Sequence, residues 1–489
     1  MKKCSAALFS LVLILALSAE AAGPGQDPAG AIDAYLRSCQ DAQTFNGAVL
    51  VAAKGAVVFK KGYGPANREW GVPNAADTKF RIGSMTKAFT SMLVMQLVEE
   101  KKIDLQAKLS AYLPFYRKDV GDRVTIHHLL THTSGIPSYT DDMKRMEAAV
   151  RDPYPPSEFV AEYCSGDLQF EPGSRFRYDN SGYFILGAVI EAVTGRPYEE
   201  VLRERILAPL GMKDSGYDRP GPILAGRASG YAVTFDGFEN ARYVNMSLPY
   251  AAGALYSTVE DLYLWDRALA GTSLLSAEAK AVMFKPQVSI GGGTSYAYGW
   301  MVGQRSVPGT PDKTARIFHG GSIFGFGSFI ERLPDEGHLV VILTNTPEAN
   351  LAEMAGGIIE ILYGRTPARP KKSITRPVYD ALVAGGPEAA VRRYRELKGS
   401  DPDGYDLAPG ELNQLGYYLL NAKRMTAAAI EIFKLNVAEF PKYANGYDSL
   451  GEAYLAAGDK ALAEASYAKA LELDPANANA AAKLAEIRK

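Results

Sequence analysis

Ser84-Met85-Thr86-Lys87 places a hydroxyl and an amine three residues apart at the head of an apolar stretch that runs to about Val98. On a helix, residues three apart share a face, so Lys87 can stand beside the Ser84 hydroxyl. A serine is a poor nucleophile until a base takes its proton. A desolvated lysine, or a group whose pKa that lysine depresses, can be the base. At the start of the helix the Ser84 amide is also free to face a developing oxyanion. The spacing alone decides little, because Ser466-Tyr467-Ala468-Lys469 repeats it inside a segment that reads as a repeat helix.

Two further constellations add weight. Tyr178-Asp179-Asn180 follows the turn signal Pro172-Gly173 and precedes a helical pattern over 183–193. Next to cationic Lys87 a tyrosine has its phenolate form favoured, and it can then relay a proton from Ser84 to a leaving group. Tyr243-x-Asn245 and Tyr443-x-Asn445 share the spacing, but 178 heads a helical pattern after a tight turn, whereas 443 lies in the repeat array. His319-Gly320-Gly321-Ser322 stands at the end of a strand pattern, where glycines let the strand edge approach a substrate backbone. Taken by itself, His319 is equally readable as a turn residue.

Other chemistries are argued against. The five histidines, at 127, 128, 132, 319 and 338, form no His-Glu-x-x-His, and no Cys-x-x-Cys occurs, so a metal site is not expected. There is no phosphate-binding Gly-x-x-x-x-Gly-Lys-Ser/Thr loop and no Gly-x-Ser-x-Gly elbow. No cofactor is implied. A net charge of -2 and a pI near 6.3 offer no basic field for nucleic acid or an anionic membrane.

The elements that must position these residues follow from periodicity. Strand patterns at 46–53 and 56–61 meet at Lys54-Gly55, and three more lie at 316–319, 326–333 and 338–343. Helical patterns and Pro/Gly loops fill the interval, and a helix is expected over 351–362. This predicts an α+β fold, one antiparallel sheet closed by both ends of the domain and flanked by helices, with a mostly helical lobe between. At 489 residues more than one domain is expected. A Gly/Arg/Pro/Lys-rich stretch over 364–377 reads as a linker, and 387–397 as a capping helix. Tyr447, Leu450, Gly451, Tyr454, Ala463, Tyr467, Ala470 and Pro475 match the tetratricopeptide pattern. Leu415, Gly416, Ala428, Ile432, Leu435 and Pro441 form a weaker copy one repeat earlier. The division is thus 1–22 leader, 23–365 catalytic domain, 366–410 linker and cap, 411–489 all-α tetratricopeptide repeats.

Together the motifs resemble those of class C β-lactamases, serine D-alanyl-D-alanine carboxypeptidases, D-aminopeptidases and the related esterases. The similarity extends to Leu129 through Ile136, to Tyr178 through Met212 and to Ala252 through Thr258, and covers about residues 30 to 365. It implies a β-lactamase/transpeptidase-like fold with Ser84 acylated, Lys87 and Tyr178 handling its proton, and Asn180 binding the substrate amide. The amides of Ser84 and Ser322 would form the oxyanion hole, with His319 and Gly321 in the third motif. Where class C β-lactamases carry Lys-Thr-Gly, this chain carries His319-Gly320-Gly321. A titrating His319 would attract a substrate carboxylate only at acid pH, so carboxylate-bearing substrates would lose ground to neutral ones between about pH 5.5 and 7.5. Alternatively, a hydrogen bond holds His319 neutral and leaves it to orient Tyr178.

The expected activity is hydrolysis of an amide or ester, a D-amino peptide or a small ester, with a small-molecule or peptide substrate. β-Lactam hydrolysis is the alternative within the same chemistry. A non-catalytic scaffold whose repeats bind a protein partner is the alternative of another class. Lys2 and Lys3, an apolar run over 6–17 and Ala19-Glu20-Ala21 read as a cleaved export signal, giving a periplasmic or secreted protein with no integral membrane segment. An oxidising compartment would permit a Cys39–Cys164 bridge.

Overall fold

A computed structural model describes residues 27–346 and 350–488. The leader at 1–22 lies outside the described residues. Residues 48–52 read Ala-Val-Leu-Val-Ala with no polar break, and their strand shows why. In β1 (Gly47–Ala53), Ala48, Leu50 and Ala52 enter the large core shared with the helical lobe. Val49 and Val51 enter a second core, under α1 (Pro28–Asp41) and the helix Leu351–Leu362. A strand covered on both faces needs apolar residues at every position.

The sheet has eight antiparallel strands. β1 is followed by β2 (Ala56–Tyr63), β3 (Val288–Gly291), β4 (Thr294–Tyr296), β5 (Met301–Ser306), β6 (Lys313–Ile323), β7 (Phe326–Leu333) and β8 (His338–Thr344), in the order β3-β4-β5-β6-β7-β8-β1-β2. β1 pairs with β8, Gly47 opposite Thr344, so the two ends of the domain close the sheet as expected. The sequence reading missed β3 to β5. They are short, and the β3–β4 turn is built on Gly291, Gly292 and Gly293, all at positive φ, so no sustained alternation marks them. β6 is also longer than the 316–319 read from sequence and carries His319 to Ser322 inside its paired region.

Between β2 and β3 lies the helical lobe. Its central helix, α2 (Thr86–Glu99), is buried from Thr86 to Leu97, as befits a helix apolar nearly all round. α3 (Asn180–Thr194) starts at an Asp179 cap that accepts from the Gly182 N–H and ends at Gly195 in the left-handed region (φ 66°).

Beyond Tyr363 the described chain is helical apart from a short parallel pair, Lys372–Ser373 with Tyr405–Asp406, in the all-α tail expected from the repeat pattern. One buried cluster runs from Ile374 to Leu484, so the segment read as linker already enters the tail core at Ile374 and Thr375. The helix Thr375–Ser400 breaks at Gly385 and Gly386, ahead of Pro387. The tail grips the catalytic body through a hairpin, Tyr231–Thr234 and Gly237–Asn240. At its tip Phe235 packs on Tyr418 (ring centroids 4.7 Å) and Tyr379, and Asp236 accepts from the Tyr379 hydroxyl (2.9 Å) and meets Lys423 Nζ (2.7 Å). Cys39 and Cys164 are free and buried in different clusters, which corrects the possible bridge between them. No described helix is long and apolar enough to cross a membrane.

Candidate active site

The turn that carries Ser84, Gly83–Met85, is pressed against the end of β6. Gly83 is at φ 49°, and a Cβ there would stand 2.9 Å from both N and O of Ser322. A Cβ on Gly321 would stand 2.0 Å from the carbonyl oxygen of Ile82 and 2.9 Å from the amide nitrogen of Ser84. Only glycine lets the two backbones approach this closely. Ser328 Oγ, on β7, donates to the same Ile82 carbonyl (2.7 Å) and fixes the approach. The main chains of Ser84 and Ser322 are thereby neighbours, as an oxyanion hole built from their amides requires.

Lys87 is 0% exposed. Its Nζ lies 2.8 Å from Asn180 Oδ1, 2.9 Å from the Ala252 carbonyl and 3.1 Å from Ser84 Oγ. The first two partners can only accept, so a neutral amine spends its two protons on them and turns its lone pair to the serine hydroxyl. Burial pulls the lysine down to about 7, against the opposing pull of Asp179, so the neutral form is accessible near neutral pH. The three-residue spacing predicted the contact with Ser84; the contacts to Asn180 and Ala252 come from the tertiary fold.

Tyr178 reaches the same cluster, with Lys87 Nζ 4.9 Å from its ring centre. Burial raises its pKa well above the ordinary value, and the hydrogen bond with Ser84 only partly opposes this. The phenolate expected from sequence is therefore corrected. Desolvation favours the neutral form of both lysine and tyrosine here, outweighing Asp179 at the first and the Ser84 hydrogen bond at the second.

His132 belongs to the stretch Leu129 to Ile136 that carries the resemblance, but the sequence reading gave it no role in the site. It is 0% exposed, in the left-handed region (φ 57°), and its ring lies 4.2 Å from that of Tyr178. Its carbonyl accepts from the Arg177 N–H (2.9 Å) and its Nδ1 accepts from the Asp179 N–H (3.2 Å). One residue thus clips the chain on both sides of Tyr178. Burial lowers its pKa, against the opposing pull of Asp179, and favours the neutral ring. Replacing His132 with Leu strands the Asp179 amide, and we expect kcat on a neutral ester to fall roughly tenfold to a hundredfold with KM little changed. His132→Asn tolerates the positive φ and keeps an acceptor, and should recover part of the loss. Steady-state kinetics on melt-matched proteins checks this; wild-type kcat in His132→Leu would remove His132 from any positioning role.

His319 is 1% exposed and faces inward. Its Nδ1 lies 2.6 Å from the Gly320 carbonyl and its Nε2 3.3 Å from the Tyr296 hydroxyl, so a neutral ring donates at one nitrogen and accepts at the other. Burial, reinforced by Lys87, pulls it down to about 3. The expected pH-dependent cation at this position is corrected: His319 is neutral and turned toward Tyr296, within 6.5 Å of the Tyr178 ring.

A cavity of about 150 Å³ opens over Ser84, Asn180 and Ser322, with Tyr139, Met146, Val150, Val244, Leu248 and Phe324 among its walls. At its mouth Asn180 Nδ2 donates to Thr140 Oγ1 (3.1 Å). No group of three or more potential metal-binding side chains occurs among the described residues.

Comparison with known proteins agrees with this architecture. The esterase EstB of Burkholderia gladioli is 28% identical over 363 residues, covering 65% of this chain and 90% of the relative. The teichoic acid D-alanine hydrolase of Staphylococcus aureus is 31% identical over 233 residues, 47% of this chain and 55% of that enzyme, so less than two thirds of the latter is matched. The crystal structure of a penicillin-binding protein from Bacillus halodurans superposes with a TM-score of 0.58 at 27% identity, covering 66% of this chain and 98% of that one. The profile of the beta-lactamase family matches residues 32–363, which hold every residue of the cluster around Ser84, and the chain belongs to that family.

Proposed function

We propose that the chain is a serine hydrolase that cleaves an ester or amide through an acyl-enzyme on Ser84. The observation that carries this is the set of three partners around the buried Lys87 amine, which leaves its lone pair directed at the nucleophile. Ser84 Oγ attacks the substrate carbonyl carbon and its proton passes to Lys87 Nζ. Negative charge gathering on the carbonyl oxygen is met by the amides of Ser84 and Ser322. As the bond to the leaving group breaks, the proton returns to it, directly or through the Tyr178 hydroxyl, which burial keeps protonated and able to relay. Water then attacks the acyl carbon by the same steps in reverse. Asn180 stands beside the acyl group, Gly321 permits the approach of Ser322, and His319 holds the Tyr296–Tyr178 side of the site.

Of the acyl donors, an ester is favoured over a β-lactam. His319 supplies no cation for a β-lactam carboxylate, and the name of EstB specifies an esterase. Export is supported by the leader pattern at 1–22. The repeats contribute to stability through the Phe235–Asp236 hairpin, and their remaining faces are available to a protein partner.

A pH profile tests the base. Lys87 must be neutral to act, so kcat/KM on a neutral ester should rise about tenfold per pH unit below about 7 and level off above it. Because His319 stays neutral, the ratio of carboxylate-bearing to neutral substrates should stay flat from about pH 5.5 to 7.5. A ratio that falls across that window would restore a titrating His319.

A further inference from the structure

We propose that the acyl group accepted by Ser84 is uncharged and apolar on the carbons next to the scissile carbonyl, an alkanoyl or aryl-acyl group of roughly six carbons. This rests on the hydrolase reading above and names its substrate class. Beyond Ser84, Asn180, Thr140 and Ser322 at the reacting end, the side chains around the cavity are mainly apolar, Tyr139, Met146, Val150, Val244, Leu248 and Phe324 among them, and no Asp, Glu, Lys, Arg or His lines it. Its volume of about 150 Å³ is that of an apolar cavity known to hold benzene. A charge carried into such a space needs a partner at hand or loses most of its solvation uncompensated.

No such partner is on offer. Lys87 lies behind Ser84, with both protons committed to Asn180 and Ala252 while it acts as base. Met146, Val150 and Phe324 continue into an outer cleft that carries Glu147, Arg151 and Arg242. There Glu147 is already paired with Arg242 (3.1 Å), and Arg151 leaves the rim net positive. An acyl group with an ammonium on its α-carbon, such as the D-alanyl group in the name of the staphylococcal relative, therefore meets an apolar wall and then a repelling rim.

The test is a series of 4-nitrophenyl esters on the full chain, sharing one leaving group: acetyl, butanoyl, hexanoyl, dodecanoyl, D-alanyl and hemisuccinyl. Expected is a rise in kcat/KM of about threefold to tenfold per added methylene up to hexanoyl, and a fall at dodecanoyl. The D-alanyl and hemisuccinyl esters should run at least tenfold below butanoyl. Val244→Phe and Leu248→Phe, which fill the cavity, should each lower the hexanoyl-to-acetyl ratio. A flat alkanoyl series, or a D-alanyl or hemisuccinyl ester faster than butanoyl, overturns the proposal. Labelling by a fluorophosphonate probe, run alongside, separates the two readings. A protein labelled at Ser84 that prefers charged acyl groups sinks only the acyl class, whereas no turnover and no label at Ser84 sinks the hydrolase reading and this inference together.

Discussion

Lys87→Met is expected to lower kcat/KM on a neutral ester by about 10³-fold to 10⁴-fold, with the protein still folded. The substitution removes the amine whose lone pair faces Ser84 Oγ and keeps the length and bulk that α2 buries. Lys87→Arg should be as inactive, because a guanidinium cannot shed its proton to become a base. Stability should change little. Between about pH 7 and 10.5 Lys87 is protonated when the chain is unfolded and neutral when it is folded, so its burial penalises folding, and the fold gains stability as pH rises through that window. Met removes the penalty and its slope, but leaves the Asn180 and Ala252 oxygens without a donor. These effects oppose each other, and the melting temperature should move by less than about 5 °C. Activity within tenfold of wild type would take the base role away from Lys87 and return it to Tyr178.

The sequence exposes the parts of the site whose geometry is local. Ser84 and Lys87 meet because three residues make nearly one helical turn, and Gly321 was marked because glycine permits backbone approach. Asn180 was found by its motif, but its tie to Lys87, across 93 positions of chain, depends on how α3 packs on α2. The charge states were misread for the same reason. Tyr178 was judged by its cationic neighbour and His319 by the ordinary imidazole pKa, with a hydrogen-bonded neutral ring as the alternative that the structure favours, whereas burial, which no single sequence displays, dominates both. His132 lies in the stretch Leu129 to Ile136 that carries the resemblance, but its role stayed hidden, since a ring acceptor for one amide and a carbonyl for another leave no pattern of residue types. In the sheet, β1 and β8 with their continuous apolar runs and the longer β7 were legible, while the short β3 to β5, turning through Gly291 to Gly293, were not.

Everything in the catalytic account passes through one oxygen atom. Substituting Ser84 with Ala should lower kcat/KM on a neutral ester by about 10⁴-fold to 10⁶-fold, because among the described residues no other hydroxyl is hydrogen-bonded to Lys87 Nζ at the cleft. The most direct measurement is intact-mass and peptide mapping of the full chain after exposure to a fluorophosphonate probe. One adduct per chain, on the peptide that carries Ser84 and absent from Ser84→Ala, is the predicted result. An adduct on any other residue, or labelling undiminished in Ser84→Ala, would contradict the assignment of Ser84 as the acylated nucleophile.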